Sequence, residues 1–243
     1  MKEIFIMNKR KLIFIVASLL ILICGYYIFD YYTGNHIIID DVFKESATKD
    51  VKEQSDDVQS SENFTVESFD WDGEWEISED SAVYLSIKTS KEEIIIQFSE
   101  VSGSWEINQT EPNLMEANAI VNINSIDSGN GQRDSHIKGD RFLQAEPFPE
   151  ATFQLHSIEN WSNEWQSGQT NFILLTGDLT IKDITKTVTF ETEVLSENDI
   201  LKLKADTTVT FNDYGMNNPH TVLLDTENDV LITLQLVLNK NEM

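Results

Sequence analysis

The sequence predicts an all-β protein: an antiparallel barrel of about eight strands with a short helical insert, preceded by one N-terminal transmembrane helix. Three observations carry this expectation. An uncharged run lies near the N-terminus, a polar acidic stretch follows it, and apolar and polar residues alternate along almost every segment from Trp71 onward.

Leu12 to Phe29 reads LIFIVASLLILICGYYIF, without a single charge. As a helix it would rise about 27 Å, close to the ~30 Å hydrocarbon thickness of a bilayer. Lys9, Arg10 and Lys11 stand before it, which assigns residues 1–11 to the cytoplasm. Tyr26, Tyr27, Phe29, Tyr31 and Tyr32 follow as an aromatic belt. The span is placed at 12–32, single-pass in the cell membrane, with the remaining chain on the extracytoplasmic side. A cleavable signal peptide would end in small residues, whereas this run ends in bulky aromatics. A lipoprotein would acylate Cys24, but Ile23 stands where a small residue is needed. An uncleaved signal-anchor fits best.

Residues 33–69 are polar and acidic, with Ser, Asp, Glu, Lys and Gln dominating Lys44 to Asn63, and bury too little apolar surface to fold alone, so they read as an acidic flexible linker. Lys2, Lys9, Arg10 and Lys11 are set aside from the 17 basic residues, and Glu3 and Asp30 from the 42 acidic ones. The chain from Thr33 onward then holds 13 basic against 40 acidic residues, a net charge of about −27. Such a surface repels phosphate backbones and excludes nucleic acid as a partner. Cys24 is the one cysteine, so stability beyond the membrane must come from packing.

Residues 70–241 form the barrel domain. Ala117, Ala119, Val121 and Ile123 alternate with Glu116, Asn118, Asn122 and Asn124. Ile184, Val188, Phe190 and Val194 alternate with threonines and glutamates, and Leu201, Leu203, Ala205 and Val209 with Lys202, Lys204, Asp206 and Thr208. Val230 to Leu238 forms the last such ladder. One apolar and one wet face per strand is the pattern of antiparallel strands around a single interior. About ten segments read as strands: 71–77, 82–88, 93–98, 103–107, 115–124, 150–158, 171–181, 184–195, 200–211 and 229–238. Lys182-Asp183 is short enough for a tight hairpin. The polar stretch from Ser128 to Leu143 interrupts the rhythm and has helical potential. A barrel of this size either fills with side chains or holds one small ligand. Small inward residues, among them Ala117, Ala119, Ala205 and Gly177, favour a cavity.

The interrupting stretch and its flanks read SIDSGNGQRDSHIKGDRFLQAEPFPEATF, Ser125 to Phe153. This resembles the central signature of the YceI-like family: a Ser-Ile-Asp strand end, an Arg-Asp-x-His turn or helix, and an aromatic-Pro pair, here Phe148-Pro149. LTGDLTIKDITKTVTF, FNDYGM and VYLSIK are similar to the family's hairpin, late Phe-Gly segment and first strand. The resemblance implies a lipocalin-like barrel around a long apolar tunnel that binds polyisoprenoid chains, isoprenoid quinones or related amphiphiles. Thr89 stands where the family commonly has His, Asp183 where it has Gly, Thr187 where it has Pro and Gly139 where it has Ser. The loss of the first His weakens anything that needs a two-histidine site.

The inward ladders nominate Val121, Phe142, Phe153, Leu175, Phe190, Leu203, Val209 and Leu234 as ligand-binding wall residues, each equally explicable as ordinary core. Arg133, Asp134 and His136 form the densest polar cluster. They either touch a lipid headgroup at the tunnel mouth or hold the rim together, with Asp134 capping a short helix and Arg133 tying it to the barrel; structure is the preferred reading. No nucleophile and orienting partner accompany His136, no metal-ligand spacing joins the histidines, and no phosphate loop is present, so no catalytic residue, metal or cofactor is assigned. Three functions follow in order: a carrier or reservoir for an isoprenoid lipid or quinone, a solid barrel acting as an interaction module, and an enzyme using His136 and Asp134. A homodimer is left open.

Overall fold

The computed structural model describes residues 18–26, 34, 36–44, 71–162, 164–197, 199–219 and 225–241. Residues 18–26 are helical. Among the described residues no helix is long and apolar enough to cross a membrane. The rest of the 12–32 span, residues 1–11 and most of 33–69 lie outside the described residues.

Period-two alternation becomes eleven strand segments in one antiparallel sheet. They are β1 (Gly73–Ile77), β2 (Ala82–Thr89), β3 (Glu93–Phe98), β4 (Val101–Ile107), β5 (Glu116–Asn122), β6 (Ile126–Asp127), β7 (Glu150–Glu159), β8 (Thr170–Ile181), β9 (Ile184–Glu197), β10 (Ile200–Thr210) and β11 (Thr226–Lys240). These segments make eight staves, because β1/β2, β3/β4 and β5/β6 are each one stave with a break in it. Closure comes from β11, which pairs with β10 along one edge and with both β1 and β2 along the other. A closed barrel leaves no strand edge free.

The breaks have local causes. Between β1 and β2, the Ser81 hydroxyl accepts from Val237 N at 2.9 Å and Ser78 N donates to Val237 O at 2.8 Å, which splices the stave onto β11. Between β5 and β6, a 3-10 turn at Ile123–Ser125 forms because the Asn122 side chain accepts from Asn124 N. The expected strand 115–124 is therefore shorter. Only two residues of β6 then pair with β3. The Lys182-Asp183 hairpin forms as expected, with Ile181 opposite Ile184 and Lys182 at φ +59°.

Alternate residues of each stave point inward. Leu201, Leu203, Ala205, Val230, Ile232, Leu236 and Leu238 are all buried. The opposite face of β8 and β9 carries hydrogen-bonded polar pairs: Thr176 with Thr189 and Thr180 with Thr185, both 2.8 Å, and Thr187 donating to Asp178 at 2.8 Å.

The two ends of the barrel differ. At one end all five tryptophans gather. Trp161 and Trp165 lie 4.3 Å apart between ring centroids, Trp165 meets Trp71 edge-on at 5.4 Å, and Trp161 meets Trp105 at 6.0 Å. The Trp75 indole donates to Trp71 O at 2.8 Å, and both residues are wholly buried. At the other end lies the expected insert, folded as a short helix at Gly131–Ile137.

Residues 36–44, within the stretch read as linker, lie against the outer wall. Asp40 N donates to the Tyr84 hydroxyl at 3.4 Å and Val42 N to Gln235 Oε1 at 3.1 Å.

Candidate functional site

Inward ladders that mix large and small side chains leave the interior unfilled. An inner chamber of about 130 Å³ lies in the middle of the barrel, lined from all eight staves, and a second of about 420 Å³ lies at the helix end. Leu85, Leu143, Ile181 and Ile232 line both, so the two adjoin across an apolar waist. Ala117, Ala119 and Ala205 line the inner chamber. Larger residues at these positions would close it.

Gly177 contributes by what it lacks. A Cβ there would stand 2.3 Å from Gln154 O and 2.5 Å from Phe153 Cζ, so its absence lets the Phe153 ring lie down on the wall. Phe153 then meets Phe190 edge-on, with centroids 5.5 Å apart. Gly103, at φ +141°, instead lets the backbones of β4 and β5 approach, since a side chain there would strike Asn118 O.

The structure places every nominated wall residue on one chamber or the other. Val121, Phe153, Leu175, Phe190, Leu203 and Leu234 line the inner one, and Phe142 and Val209 the outer one. Residues of the waist, and Trp105 at the far end of the inner chamber, were not nominated. Leu85 and Ile232 sit on ladders like the others, so nothing local distinguishes them.

The polar cluster divides. Asp134 does not cap the helix: it lies in the fourth helical position, past the amides a cap can reach. Asn130 is the cap, its side chain accepting from Gln132 N at 3.0 Å and Arg133 N at 3.2 Å. Asp134 instead accepts from Ser128 N at 3.0 Å and from the Ser128 hydroxyl. Arg133 closes the same knot, donating through Nε to Ser128 Oγ at 2.9 Å and through Nη2 to Ser128 O at 2.6 Å. Ser128 is wholly buried and directly follows β6, so this knot ties the helix to the rim. His136 is exposed, lines the outer chamber and meets Phe142 edge-on at 5.4 Å.

Thr89 also lines the outer chamber. Its hydroxyl donates to Glu92 O at 2.7 Å and accepts from Lys91 N and Glu92 N, which shapes the β2–β3 turn. Tyr214 forms part of the chamber floor. It is wholly buried, its hydroxyl donates to Leu179 O at 3.4 Å, and burial with Asp213 nearby pushes its phenol up to about 12. Asp213 is held below the usual carboxylate range by hydrogen bonds from the Thr210 hydroxyl and backbone.

A model of the YceI-like domain matches residues 75–238. The chain belongs to the YceI-like family. Protein YceI of Salmonella arizonae is 29% identical over 102 residues, 42% of this chain and 49% of that protein, so this YceI-like chain spans about half the length of the curated relatives it matches. Among solved structures, Burkholderia cenocepacia BcnA superposes with a TM-score of 0.57 at 20% identity, over 66% of this chain and 98% of that one. A polyisoprenoid-binding domain from Saccharophagus degradans superposes with a TM-score of 0.58 at 12% identity, over 69% and 98%. At these identities the likeness to the solved structures is one of fold. The YceI-like region begins within β1 and ends within β11, so it covers all eight staves and the rim helix.

Proposed function

We propose that this chain is a membrane-anchored, extracytoplasmic lipid-binding protein that carries or stores a polyisoprenoid or an isoprenoid-quinone-type amphiphile in its barrel, without catalysis. The observation that carries this reading is the pair of adjoining apolar chambers inside a closed barrel. The inner chamber is close in size to the ~150 Å³ that accepts one benzene in an engineered cavity, and the outer is about three times larger. Chambers joined across a narrow waist suit a chain of repeated small apolar units better than one rigid ring system. Each CH₂ withdrawn from water contributes about 0.8 kcal/mol, so a tail of ten carbons supplies ample affinity without polar contacts.

Support also comes from the family and from the Saccharophagus degradans neighbour, described as binding polyisoprenoids. The apolar run with its preceding cations supports the anchor and the orientation. Three of the polar groups at the outer chamber and rim are committed to structure: Arg133 and Asp134 hold Ser128, and Thr89 holds a turn.

The test is native mass spectrometry with lipid extraction on the full chain purified in detergent from host membranes. A polyprenyl or quinone species at about one per chain is expected. An empty protein that also takes up no added isoprenoid would move the reading to an interaction barrel.

A further inference from the structure

We infer that the segment His36–Lys44 is a strap that turns the tunnel mouth toward the membrane in which the chain is anchored, so that lipid passes between bilayer and barrel without crossing water. The inference rests on the anchored lipid-binding reading and adds the docking face to it.

The strap is seated on the barrel. Tyr84 and Gln235 belong to the outer face of β2 and β11, where side chains would ordinarily be wet, yet they are only 1% and 2% exposed. Asp40 N and Val42 N bond to their polar atoms. The direction of the strap is also set. It begins beside the rim helix, where a Cβ on Gly129 would stand 3.6 Å from His36 N, and it ends among Ser81, Lys202 and Val237, toward the tryptophan end. The chain therefore reaches the barrel at the mouth and runs away from it.

Length decides the orientation. Four links separate Tyr32 from His36 and seven separate Phe29 from it, reaching at most about 14 and 25 Å when fully extended. A barrel whose staves hold 12 residues tilted by roughly 40° is about 30 Å tall. If the tryptophan end faced the bilayer, the chain would have to climb that height, plus the headgroup layer, before meeting Gly129. It is too short. With the mouth toward the bilayer, the same links suffice.

Charge agrees. Of the ten Lys and Arg residues from Trp71 onward, Lys88, Lys91, Arg133, Lys138, Arg141 and Lys182 lie at the mouth end. Glu92, Glu93, Asp127, Asp134, Asp140, Asp183, Asp213 and Asp225 accompany them, so this end is also net acidic, though it holds most of the barrel's cations. The opposite end carries Asp72, Glu74, Glu76, Glu106, Glu111 and Glu116, opposed chiefly by Lys202 and Lys240. An anionic bilayer repels that end.

The full chain with Cys24→Ser, reconstituted in phosphatidylcholine–phosphatidylglycerol vesicles, allows a direct test. Single cysteines at Ser135→Cys on the rim helix, Asp183→Cys on the mouth hairpin and Asn113→Cys at the tryptophan end would carry a fluorophore, with a headgroup-nitroxide lipid as quencher. Quenching several-fold stronger at 135 and 183 than at 113 is expected. Equal quenching, or the reverse order, overturns the proposal. Twenty Gly-Ser residues inserted between Tyr32 and His36 should abolish the contrast without unfolding the barrel; a contrast that survives shows that the short tether does not set the orientation. An empty barrel that keeps the contrast supports the strap and removes the carrier reading. A loaded barrel without it does the opposite, and a chain that alkaline carbonate strips from the vesicles removes the anchor and the proposal together.

Discussion

Gly177 and Phe153 share one space on the barrel wall, the ring of one lying where a side chain of the other would be. Gly177→Ala would place its Cβ against both the ring and the Gln154 carbonyl, and β7 must then shift. Overpacking of this kind costs about 1–3 kcal/mol, which in a domain of this size lowers Tm by roughly 2–4 °C per kcal/mol. Phe153→Leu added to Gly177→Ala should recover part of the loss but not all, because the carbonyl stays. Thermal and urea unfolding of the four species measures it. Strictly additive losses would show that the two residues do not compete for the space.

Ala119 lines the inner chamber on β5, directly opposite Phe153 in register. Ala119→Phe adds a ring to a space that holds about one ring. The expected result is a fall of at least about tenfold in co-purifying lipid, with circular dichroism unchanged and a stability cost within the overpacking range of about 1–3 kcal/mol. Unchanged lipid content would mean that the ligand occupies the outer chamber alone.

The ladders made this barrel legible, and for a physical reason. A strand in a closed barrel has one side in and one side out, so Leu203 and Leu234 could be assigned to the interior without knowing their neighbours. Every wall residue chosen that way lines a chamber. What alternation cannot express is where staves break or which ends meet. The two residues of β6 are too few to show a period, and Asn122 had first to bend the chain. The tryptophans stand far apart in sequence and gather only because the topology brings strand ends together. Asp134 stands out in the sequence as a cap because it belongs to the polar cluster, although Asn130, flanked by Gly129 and Gly131 just before the helix, is where a cap belongs. Ile37, Ile38, Ile39, Val42 and Phe43 make a short apolar cluster in an otherwise polar stretch, but without a ladder it does not show that residues 36–44 are seated on the wall.

The knot at the rim makes a separate prediction. Ser128→Ala removes the hydroxyl that Asp134 accepts from and Arg133 donates to, leaving each half-buried side chain only its bond to the Ser128 backbone. A loss of about 1–3 kcal/mol is expected. It should be concentrated in the helix Gly131–Ile137: hydrogen exchange there should speed up by at least tenfold while the β8–β9 amides change by less. Uniform acceleration would assign Ser128 to the global core instead. Because this helix borders the outer chamber, lipid exchange with vesicles should also quicken.

Tyr214 gives the alkaline limb of stability a specific owner. Its phenol ionises near 12 in the folded barrel and near 10 when unfolded, chiefly because burial disfavours the charged form. The folded state therefore holds the proton more tightly. The stability this provides is complete below pH 10 and is lost as pH rises from 10 through 12, at about 1.4 kcal/mol per pH unit. Tyr84, also raised by burial, adds to the same limb. Tyr214→Phe should cost about 1 kcal/mol or less at pH 7, since the bond to Leu179 O is long at 3.4 Å. Between pH 10 and 12 the variant should lose stability more slowly than the parent, so the two curves converge or cross. Urea midpoints taken at half-unit steps from pH 8 to 12 measure this, and parallel curves across that window would show that Tyr214 is not the group that titrates.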